Sequence, residues 1–326
     1  MLAAPDSFKG TMTAATVAAA LAEGAARAGA EAERCPLADG GEGTAEVLRE
    51  TRCGERHTAL VHDPLGREIE AEFVLLDAGG TAVIDLAAAS GLPLVAEAER
   101  DPEVASTRGT GELIAAALAA GARRVLVAAG GSATVDGGRG AIEALRAAGI
   151  ERVEIEVLCD VTTPFELAAE VFGPQKGADP AAVGRLTARL AEYAAELPRD
   201  PRGLAHGGAA GGFAGGLWAA YEARLRGGAE AVFEAVGLRG RVAAADLVMS
   251  GEGQLDEQST GGKLIGELAR LCREEGKPLH VVVGRTRLAP EAMAAAGIAS
   301  VSEAGDVEAI ARVAEAIVVA AQAPGC

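Results

Sequence analysis

Lysine is rare in this sequence, and the places where it occurs suggest a chemistry. Of 30 basic residues only four are lysines, and three of these lie in glycine-bearing polar motifs: Lys9 in APDSFKG, Lys176 in FGPQKGA and Lys263 after STGG. Lysine is a compact point charge on a flexible stem, whereas arginine is a planar fork. A lysine kept in an arginine-rich chain indicates a point charge that meets a ligand such as a transferring phosphoryl group. The alternative is three surface lysines that survived a composition bias.

Carboxylates recur beside the same kind of motif. They are Asp6, Asp39, Glu42, Asp136, Asp160, Glu252 and Asp256. Phosphoryl transfer needs oxygen ligands for Mg²⁺, a cation on the moving group and a base near the attacking hydroxyl. The alternative for any single aspartate is a turn former or helix cap, and it is strongest for Asp39 and Asp136 beside glycines. That alternative is weakest for Asp160, which follows an apolar strand directly, where α/β proteins place their sites.

Two glycine-rich segments, 128–140 and 250–264, each leave an apolar strand and enter a helix. Glycines let backbone N–H groups approach an anion, and a helix N-terminus adds partial positive charge. Hydroxyls such as Ser132 and Thr134 could donate to the same oxygens. Ordinary strand-to-helix connections are the open alternative, since neither segment matches the Walker pattern and the chain has no GxGxxG.

The segment STRGTG (106–111) opens another helix and carries Arg108, which is suited to a bidentate grip on a carboxylate. A solvated arginine before a capped helix explains it equally well. Zinc hydrolysis has no support, because His57 and His62 are not spaced for one helix face. GGSAT also lacks the final glycine of a serine nucleophile elbow.

Composition limits the partners and the compartment. The formal charge of −17 argues against nucleic acid and anionic membranes, which attract basic surfaces. Five cysteines without a CxxC pair predict reduced thiols in a cytoplasmic protein. No apolar run approaches the ~20 residues of a membrane helix. The expected partners are small molecules, and the oligomeric state, a homo-oligomer included, is left open.

Apolar runs alternate with Ala/Leu-rich stretches, which predicts α/β units with mainly parallel sheets. Predicted strands are Ala71–Leu76, Thr81–Leu86, Val125–Ala128, Val153–Leu158, Leu247–Ser250 and Leu279–Val283. Predicted helices are Ala14–Ala28, Gly43–Glu50, Gly111–Ala120, Gly140–Ala148, Ala181–Glu196, Gly215–Leu225, Lys263–Glu275 and Val307–Ala321.

Residues 58–86 are the exception and predict an antiparallel hairpin with a glycine turn at 77–80. The hairpin marks a crossing into a second domain. We therefore expect one α/β domain from residues 1–60 and 245–326, with its sheet formed by both chain ends, and an inserted α/β domain from 61–244.

Taken in order, nine motifs resemble the glycerate kinase type-1 family over nearly the whole chain: APDSFKG, CPLADGGEGT, AAASGL, STRGTGELI, GGSATVDGG, CDVTTP, FGPQKGA, GAAGG and SGEGQLD. The resemblance implies two α/β domains, one of them flavodoxin-like, with the active site in the cleft between them. It also implies an enzyme that uses ATP and Mg²⁺ to phosphorylate D-glycerate to 2-phosphoglycerate.

Roles then follow as hypotheses for the residues in these motifs. Asp6, Ser7 and Lys9 would act on the transferring group, and Asp160 would orient the attacking hydroxyl. Ser90, Arg108 and Thr110 would hold the glycerate carboxylate. The nucleotide phosphates would lie on Gly130, Gly131, Ser132, Thr134, Asp136, Gly251, Glu252, Gly253 and Lys263, with Asp39 or Asp256 on Mg²⁺.

Three alternatives stay open. The product could be 3-phosphoglycerate, or the substrate could be another small hydroxy acid. The chain could also be a non-catalytic protein that binds an organic anion.

Overall fold

The computed structural model describes residues 1–8, 10–255 and 263–323. Its strands are β1 (Leu2–Ala3), β2 (Glu33–Arg34), β3 (Glu55–His62), β4 (Glu68–Leu76), β5 (Thr81–Asp85), β6 (Arg124–Ala128), β7 (Glu154–Cys159), β8 (Arg224–Gly227), β9 (Val248–Leu255), β10 (Leu279–Thr286) and β11 (Ser300–Glu303). Its helices are α1 (Ala14–Arg27), α2 (Thr44–Arg52), α3 (Ala87–Ser90), α4 (Arg108–Ala119), α5 (Arg139–Ala147), α6 (Ala168–Phe172), α7 (Pro180–Glu196), α8 (Phe213–Tyr221), α9 (Gly228–Ala235), α10 (Leu238–Ala244), α11 (Leu264–Glu274), α12 (Pro290–Ala296) and α13 (Val307–Gln322). The predicted α/β class is confirmed.

The chain divides into two compact units. The terminal unit joins Met1–Asp39 to Ala229–Cys326, and the central unit is the continuous Gly40–Gly228. The sequence predicted the boundaries after residue 60 and before residue 245, whereas the units meet after Asp39 and before Ala229. The reason at the first limit is that β3 pairs with β4 along its whole length, from Glu55 opposite Leu75 to His62 opposite Glu68.

The terminal unit is built on a five-stranded parallel sheet with the order β11-β10-β9-β1-β2. Counted within the unit this is the 2-1-3-4-5 order of flavodoxin-like sheets, as the resemblance implies. Because β1 and β9 are adjacent, strands from both ends of the chain share one sheet. The pairing continues past β1, where the amide of Asp6 donates to the Gly251 carbonyl at 2.8 Å.

Helices α1 and α13 pack closely in this unit because α1 carries a glycine at their contact. A Cβ on Gly24 would lie 2.1 Å from the Ala311 carbonyl oxygen and 2.7 Å from Ala314 Cβ. Beside this contact Arg27 pairs with Glu308 at 2.9 Å. The buried faces of both helices are mainly alanine, valine, leucine and isoleucine, in keeping with a chain poor in aromatic residues.

The central unit contains a six-stranded sheet with the order β3-β4-β5-β6-β7-β8. Strands β3 to β5 run antiparallel and β5 to β8 run parallel. The predicted hairpin is confirmed, since Leu76 pairs with Thr81 across a short 3₁₀ turn at Asp77–Gly79. The carboxyl ends of β5, β6 and β7 therefore lie side by side at one edge of this sheet.

Two sequence predictions were wrong in their extent. The helix expected at 215–225 ends at Tyr221, because Glu222 turns into the left-handed region and β8 follows. The strand expected to end at Ser250 continues to Leu255, which lies opposite Thr286 of β10, so the glycine-rich segment 250–264 begins as strand. Only glycine fits at position 251 of this strand, because a Cβ there would lie 2.6 Å from the Val282 carbonyl oxygen.

Among the helices that the structure describes, none combines the length and apolar character required to cross a membrane.

Candidate active site

A cavity of about 110 Å³ lies in the central unit at the carboxyl ends of β6 and β7. Glycine backbone forms part of its wall, and the polar side chains on it come from three separate motifs. They belong to GGSAT, CDVTTP and FGPQKGA. Its lining comprises Leu92, Ala129, Gly130, Gly131, Ser132, Asp160, Val161, Phe172, Gln175, Lys176 and Ala210.

The loop after β6 is held against the segment after α3 by two backbone hydrogen bonds. Leu92 donates to the Gly131 carbonyl at 2.9 Å, and Ala133 donates to the Ser90 carbonyl at 2.9 Å. Gly131 has φ +73°, which favours glycine. Within the described residues the amides of Gly130, Gly131 and Ser132 donate no hydrogen bond. Successive amides of this kind on a cavity wall suit an anion.

Gly130 is required by packing as well as by its place on the cavity. A Cβ there would lie 2.6 Å from Gly41 Cα, so the ADGGEGT and GGSAT motifs meet backbone to backbone. The two hypotheses for the glycine-rich loop were anion binding and an ordinary strand-to-helix connection, and Gly130 is compatible with both.

Lys176 is buried, with 3% of its surface exposed, and lies on the cavity wall. Its ammonium nitrogen donates to Ser132 Oγ and to the Thr134 carbonyl, both at 2.7 Å. The motif around it fits this position, because Gly177 has φ +100° and a Cβ there would lie 2.8 Å from the Arg100 carbonyl oxygen.

Burial lowers the pKa of Lys176 to about 7, and the negative charges of Asp136 and Asp160 act in the opposite direction. A buried amine that titrates near neutral pH on a cavity wall is typical of functional sites. The sequence marked Lys176 by its motif as a point charge that could meet a ligand, but Lys176 was not among the predicted site residues.

Asp160 lies where it was predicted, directly after β7, and lines the same cavity as Lys176. The loop that follows is fixed by His206, whose Nδ1 lies 2.7 Å from the Val161 carbonyl oxygen and whose amide donates to the Thr162 carbonyl at 3.2 Å. Of the predicted site residues, Asp160, Gly130, Gly131 and Ser132 are thus brought together.

Asp136 has a structural role. Its carboxylate accepts from the Thr107 amide and hydroxyl, both at 2.8 Å, and from the amides of Gly138 at 3.0 Å and Gly140 at 3.2 Å. It therefore joins the start of α5 to the segment before α4. Thr134, by contrast, is fully buried, and its hydroxyl has no hydrogen-bond partner among the described residues.

The trio predicted for the glycerate carboxylate is only partly assembled. Ser90 Oγ and Thr110 Oγ1 lie 2.7 Å apart, and both residues are fully buried. Arg108 is exposed, and its Nε donates to Glu112 Oε1 at 2.8 Å on the same helix. In this arrangement Ser90 and Thr110 are bonded to each other within the buried part of the central unit, and Arg108 belongs to a surface ion pair.

Asp85, which was not singled out from the sequence, ends β5 and holds the start of α2. Its two carboxylate oxygens accept from the amides of Gly43 at 2.7 Å and Ala45 at 2.9 Å. Burial raises its pKa to about 6, despite these two hydrogen bonds. The ADGGEGT motif is therefore fixed to the same sheet edge as the cavity.

Some of the predicted residues of the terminal unit lie on β9 or follow β1, the neighbouring strands at which the strand order reverses. Asp6 is buried, and its Oδ1 accepts from the Ser7 amide at 2.6 Å. Glu252 and Gly253 lie in β9 itself, and Lys263 is the N-cap residue of α11. Lys9 and Asp256 lie outside the described residues.

The predicted Mg²⁺ ligands are Asp39, which is buried at the end of the first chain segment of the terminal unit, and Asp256. Across residues 1–8, 10–255 and 263–323 no group of three or more His, Cys, Asp and Glu side chains is placed to hold a metal ion. The Mg²⁺ assignment stays a prediction.

Comparisons with known proteins agree over nearly the whole chain. The model of the glycerate kinase family matches residues 1–153 and 146–323. A glycerate 2-kinase from Escherichia coli strain K12 is 38% identical over 86% of this chain and 84% of its own length. A glycerate kinase from Haemophilus influenzae is 38% identical over 87% and 85%.

A solved structure agrees as well. The crystal structure of a proposed glycerate kinase 2 from Salmonella typhimurium LT2 superposes with a TM-score of 0.83 at 34% identity. The match covers 99% of this chain and 98% of that one. With a family model that spans the chain and relatives well above 30% identity, the chain belongs to the glycerate kinase family of phosphotransferases.

Proposed function

We propose that the protein transfers the γ-phosphoryl group of ATP to the 2-hydroxyl of D-glycerate. The observation that carries this proposal is that Asp160 and Lys176 both line one cavity of about 110 Å³. A volume of that size suits a three-carbon acid. A carboxylate and an amine on its walls are the two groups that acceptor activation and anion binding need. The 2-hydroxyl is favoured because the Escherichia coli relative is named a glycerate 2-kinase.

Asp160 is assigned to the acceptor hydroxyl. It follows β7 directly and lies on the cavity wall, where a small alcohol can reach it. A carboxylate there accepts the hydroxyl proton as the oxygen attacks the γ-phosphorus, and the bond from that phosphorus to ADP breaks. Phosphoryl transfer depends mainly on such positioning and on charge stabilisation.

The nucleotide phosphates are assigned to the terminal unit. In open α/β sheets ligands bind outside the carboxyl ends of the strands, at the point where the strand order reverses. Asp6, Ser7 and Glu252 lie at that point between β1 and β9, and Lys263 is the N-cap residue of the eleven-residue helix α11, whose N-terminus favours anions. We keep Lys9 as the cation that acts on the transferring group.

From the sequence, the turn at residues 130–136 was predicted to hold ATP phosphates too, and residues 130–132 of it line the cavity. Its small volume and the neighbouring Asp160 carboxylate favour the acceptor substrate over a polyphosphate. We therefore assign Gly130, Gly131 and Ser132 to substrate binding.

Mg²⁺ fits this arrangement as an ion bound jointly by protein carboxylates and the nucleotide phosphates. It commonly binds through one or two carboxylates, several waters and substrate phosphates, so a kinase needs no cluster of three protein ligands. Asp39 and Asp256 would hold it, and it would neutralise charge on the phosphates.

The test is a coupled assay of ADP release with ATP, Mg²⁺ and D-glycerate, followed by ³¹P NMR of the product. We expect glycerate-dependent release and the coupling pattern of 2-phosphoglycerate. A 3-phosphoglycerate spectrum would contradict the position of transfer. Turnover confined to other hydroxy acids would contradict the substrate.

Absence of turnover with all hydroxy acids, together with retained binding of an organic anion, would contradict the kinase assignment. It would favour the binding-protein alternative.

A further inference from the structure

The hydrogen bond between Lys176 and Ser132 fixes the direction of a second one. When Lys176 is protonated its ammonium group can only donate, so Ser132 Oγ then accepts in the 2.7 Å contact. The Ser132 hydroxyl proton must then be donated to another group. No described residue accepts it, and Ser132 lies on the cavity wall. Ser132 therefore presents a donor to whatever occupies the cavity.

The surroundings favour a negatively charged occupant. Lys176 is a buried cation on the same wall when it is protonated, and the amides of Gly130, Gly131 and Ser132 have no acceptor within the described part of the chain. Charge-assisted hydrogen bonds of this kind are stronger than neutral ones. The neighbouring Asp160 limits the charge that the cavity can accept, which favours a monoanion such as a carboxylate over a phosphate.

From these contacts we infer that Lys176 and Ser132 form the subsite for the carboxylate of the three-carbon hydroxy acid. The Ser132 hydroxyl donates to a carboxylate oxygen, and Lys176 supplies the positive charge and holds Ser132 in that orientation. This inference rests on the proposed function. It replaces the assignment of the carboxylate to Arg108, whose guanidinium is engaged on the surface by Glu112.

The subsite also explains how a hydroxy acid would be oriented. A carboxylate bound to Ser132 places the neighbouring 2-hydroxyl in the same cavity, whose lining also includes Asp160. The carboxylate and the hydroxyl that is phosphorylated would then be bound by different residues of one site.

The experiment uses the full chain and two substitutions, Ser132→Ala and Lys176→Met. Matched controls are Ser302→Ala in β11 and Lys277→Met after α11, which make the same chemical changes in the terminal unit. For each protein we would measure KM for D-glycerate, KM for ATP, and the calorimetric Kd of D-glycerate without nucleotide. Glycerol, which lacks the carboxylate, serves as a neutral acceptor.

We expect Ser132→Ala to weaken D-glycerate binding about 10- to 100-fold, as for one lost hydrogen bond to a charged group. The KM for ATP should change less than about twofold, and the preference for D-glycerate over glycerol should fall. Lys176→Met should weaken D-glycerate binding by at least as much, again with little change in the KM for ATP. The controls should match the wild type.

Unchanged D-glycerate affinity in folded Ser132→Ala would overturn the inference while the kinase activity stood. A rise confined to the KM for ATP would also overturn it, because the anion bound by Ser132 and Lys176 would then be a phosphate of ATP. Wild-type protein that neither binds nor phosphorylates D-glycerate would overturn both the subsite and the proposed function. If Lys176→Met does not fold, the outcome rests on Ser132→Ala alone.

Discussion

The ammonium nitrogen of Lys176 lies 2.7 Å from the hydroxyl oxygen of Ser132, across a sequence separation of 44 residues. The contact joins the FGPQKGA and GGSAT motifs at the carboxyl ends of β6 and β7. Because Lys176 is buried, the energy of its charged form depends on what surrounds it: the two acceptors, the carboxylates of Asp136 and Asp160, and any bound anion.

Stability of the protein should therefore depend on pH through Lys176. Its folded pKa is about 7, below the ordinary value of 10.5, so between these values the unfolded chain binds a proton that the folded chain lacks. The free energy of unfolding of the wild type should rise relative to Lys176→Met as pH increases from 7 to 10. The slope is at most about 1.4 kcal/mol per pH unit.

Urea unfolding of both proteins at matched pH values measures this difference, and other titrating groups cancel from it. Lys277→Met, which makes the same change at a partly exposed position, is the matched control. A pH-independent difference between wild type and Lys176→Met would place the folded pKa near its ordinary value and contradict the prediction.

Substrate affinity should have the opposite pH dependence. The charged form of Lys176 attracts the carboxylate, and that form is lost as pH rises through about 7. We expect the KM for D-glycerate to increase above neutral pH in the wild type and to vary much less in Lys176→Met. Initial rates from pH 6 to 9 at saturating ATP test this, and parallel profiles for the two proteins would argue against it.

Asp160→Asn should lower kcat by about 10²- to 10⁴-fold, the usual contribution of a general base. The change is nearly isosteric, so the melting temperature should stay within a few degrees of the wild type. Asp246→Asn, at an exposed position, is the matched control. Turnover near the wild-type level in folded Asp160→Asn would remove the role assigned to Asp160.

Asp85 should affect stability through the start of α2. Asp85→Ala removes both acceptors of the Gly43 and Ala45 amides and should cost about 1–2 kcal/mol, as for loss of a helix cap. Asp85→Asn keeps an acceptor oxygen and should cost less.

The pH dependence of stability separates the wild type from either variant, because neither variant carries a titrating group at residue 85. The folded pKa of Asp85 is about 6, above its ordinary 3.8, so the folded wild type binds more protons in this window and loses stability as pH rises through it. Asp85→Asn should therefore gain stability relative to wild type between pH 4 and 6. Denaturant unfolding across this range tests the prediction, and a flat difference would contradict the raised pKa.

Sequence reasoning located Asp160 and Ser132 because each follows a buried strand, and the carboxyl ends of parallel strands share one edge of the sheet. Lys176 could not be assigned in this way. It lies in a short 3₁₀ turn with no periodic pattern, and its two acceptors are more than 40 residues away. Only the glycine-bearing motif marked it.

Asp136 and Arg108 show a different limit. A carboxylate beside glycines has the same local signature whether it binds a ligand or caps a helix, and the deciding partner of Asp136 is Thr107, 29 residues away. For Arg108 the signal was available, since Glu112 lies four residues later on the same helix and such pairs attract.

The glycines of GAAGG offer a test of close packing. A Cβ on Gly211 would lie 2.0 Å from the Thr134 carbonyl oxygen, which also accepts from Lys176, and Gly211 has φ +68°. Gly203 has a similar φ of +74° with open space around it. Gly203→Ala should therefore show only the conformational cost, about 1–2 kcal/mol. Gly211→Ala should lose more than about 3 kcal/mol, because backbone must also move.

Thermal and urea unfolding of the two alanine variants, side by side, isolates the packing contribution. Gly211→Ala should in addition raise the KM for D-glycerate, because the Thr134 carbonyl that anchors Lys176 is displaced. Equal losses of stability in the two variants would mean that the loop relaxes freely away from Thr134. The glycine at 211 would then be explained by its backbone angle alone.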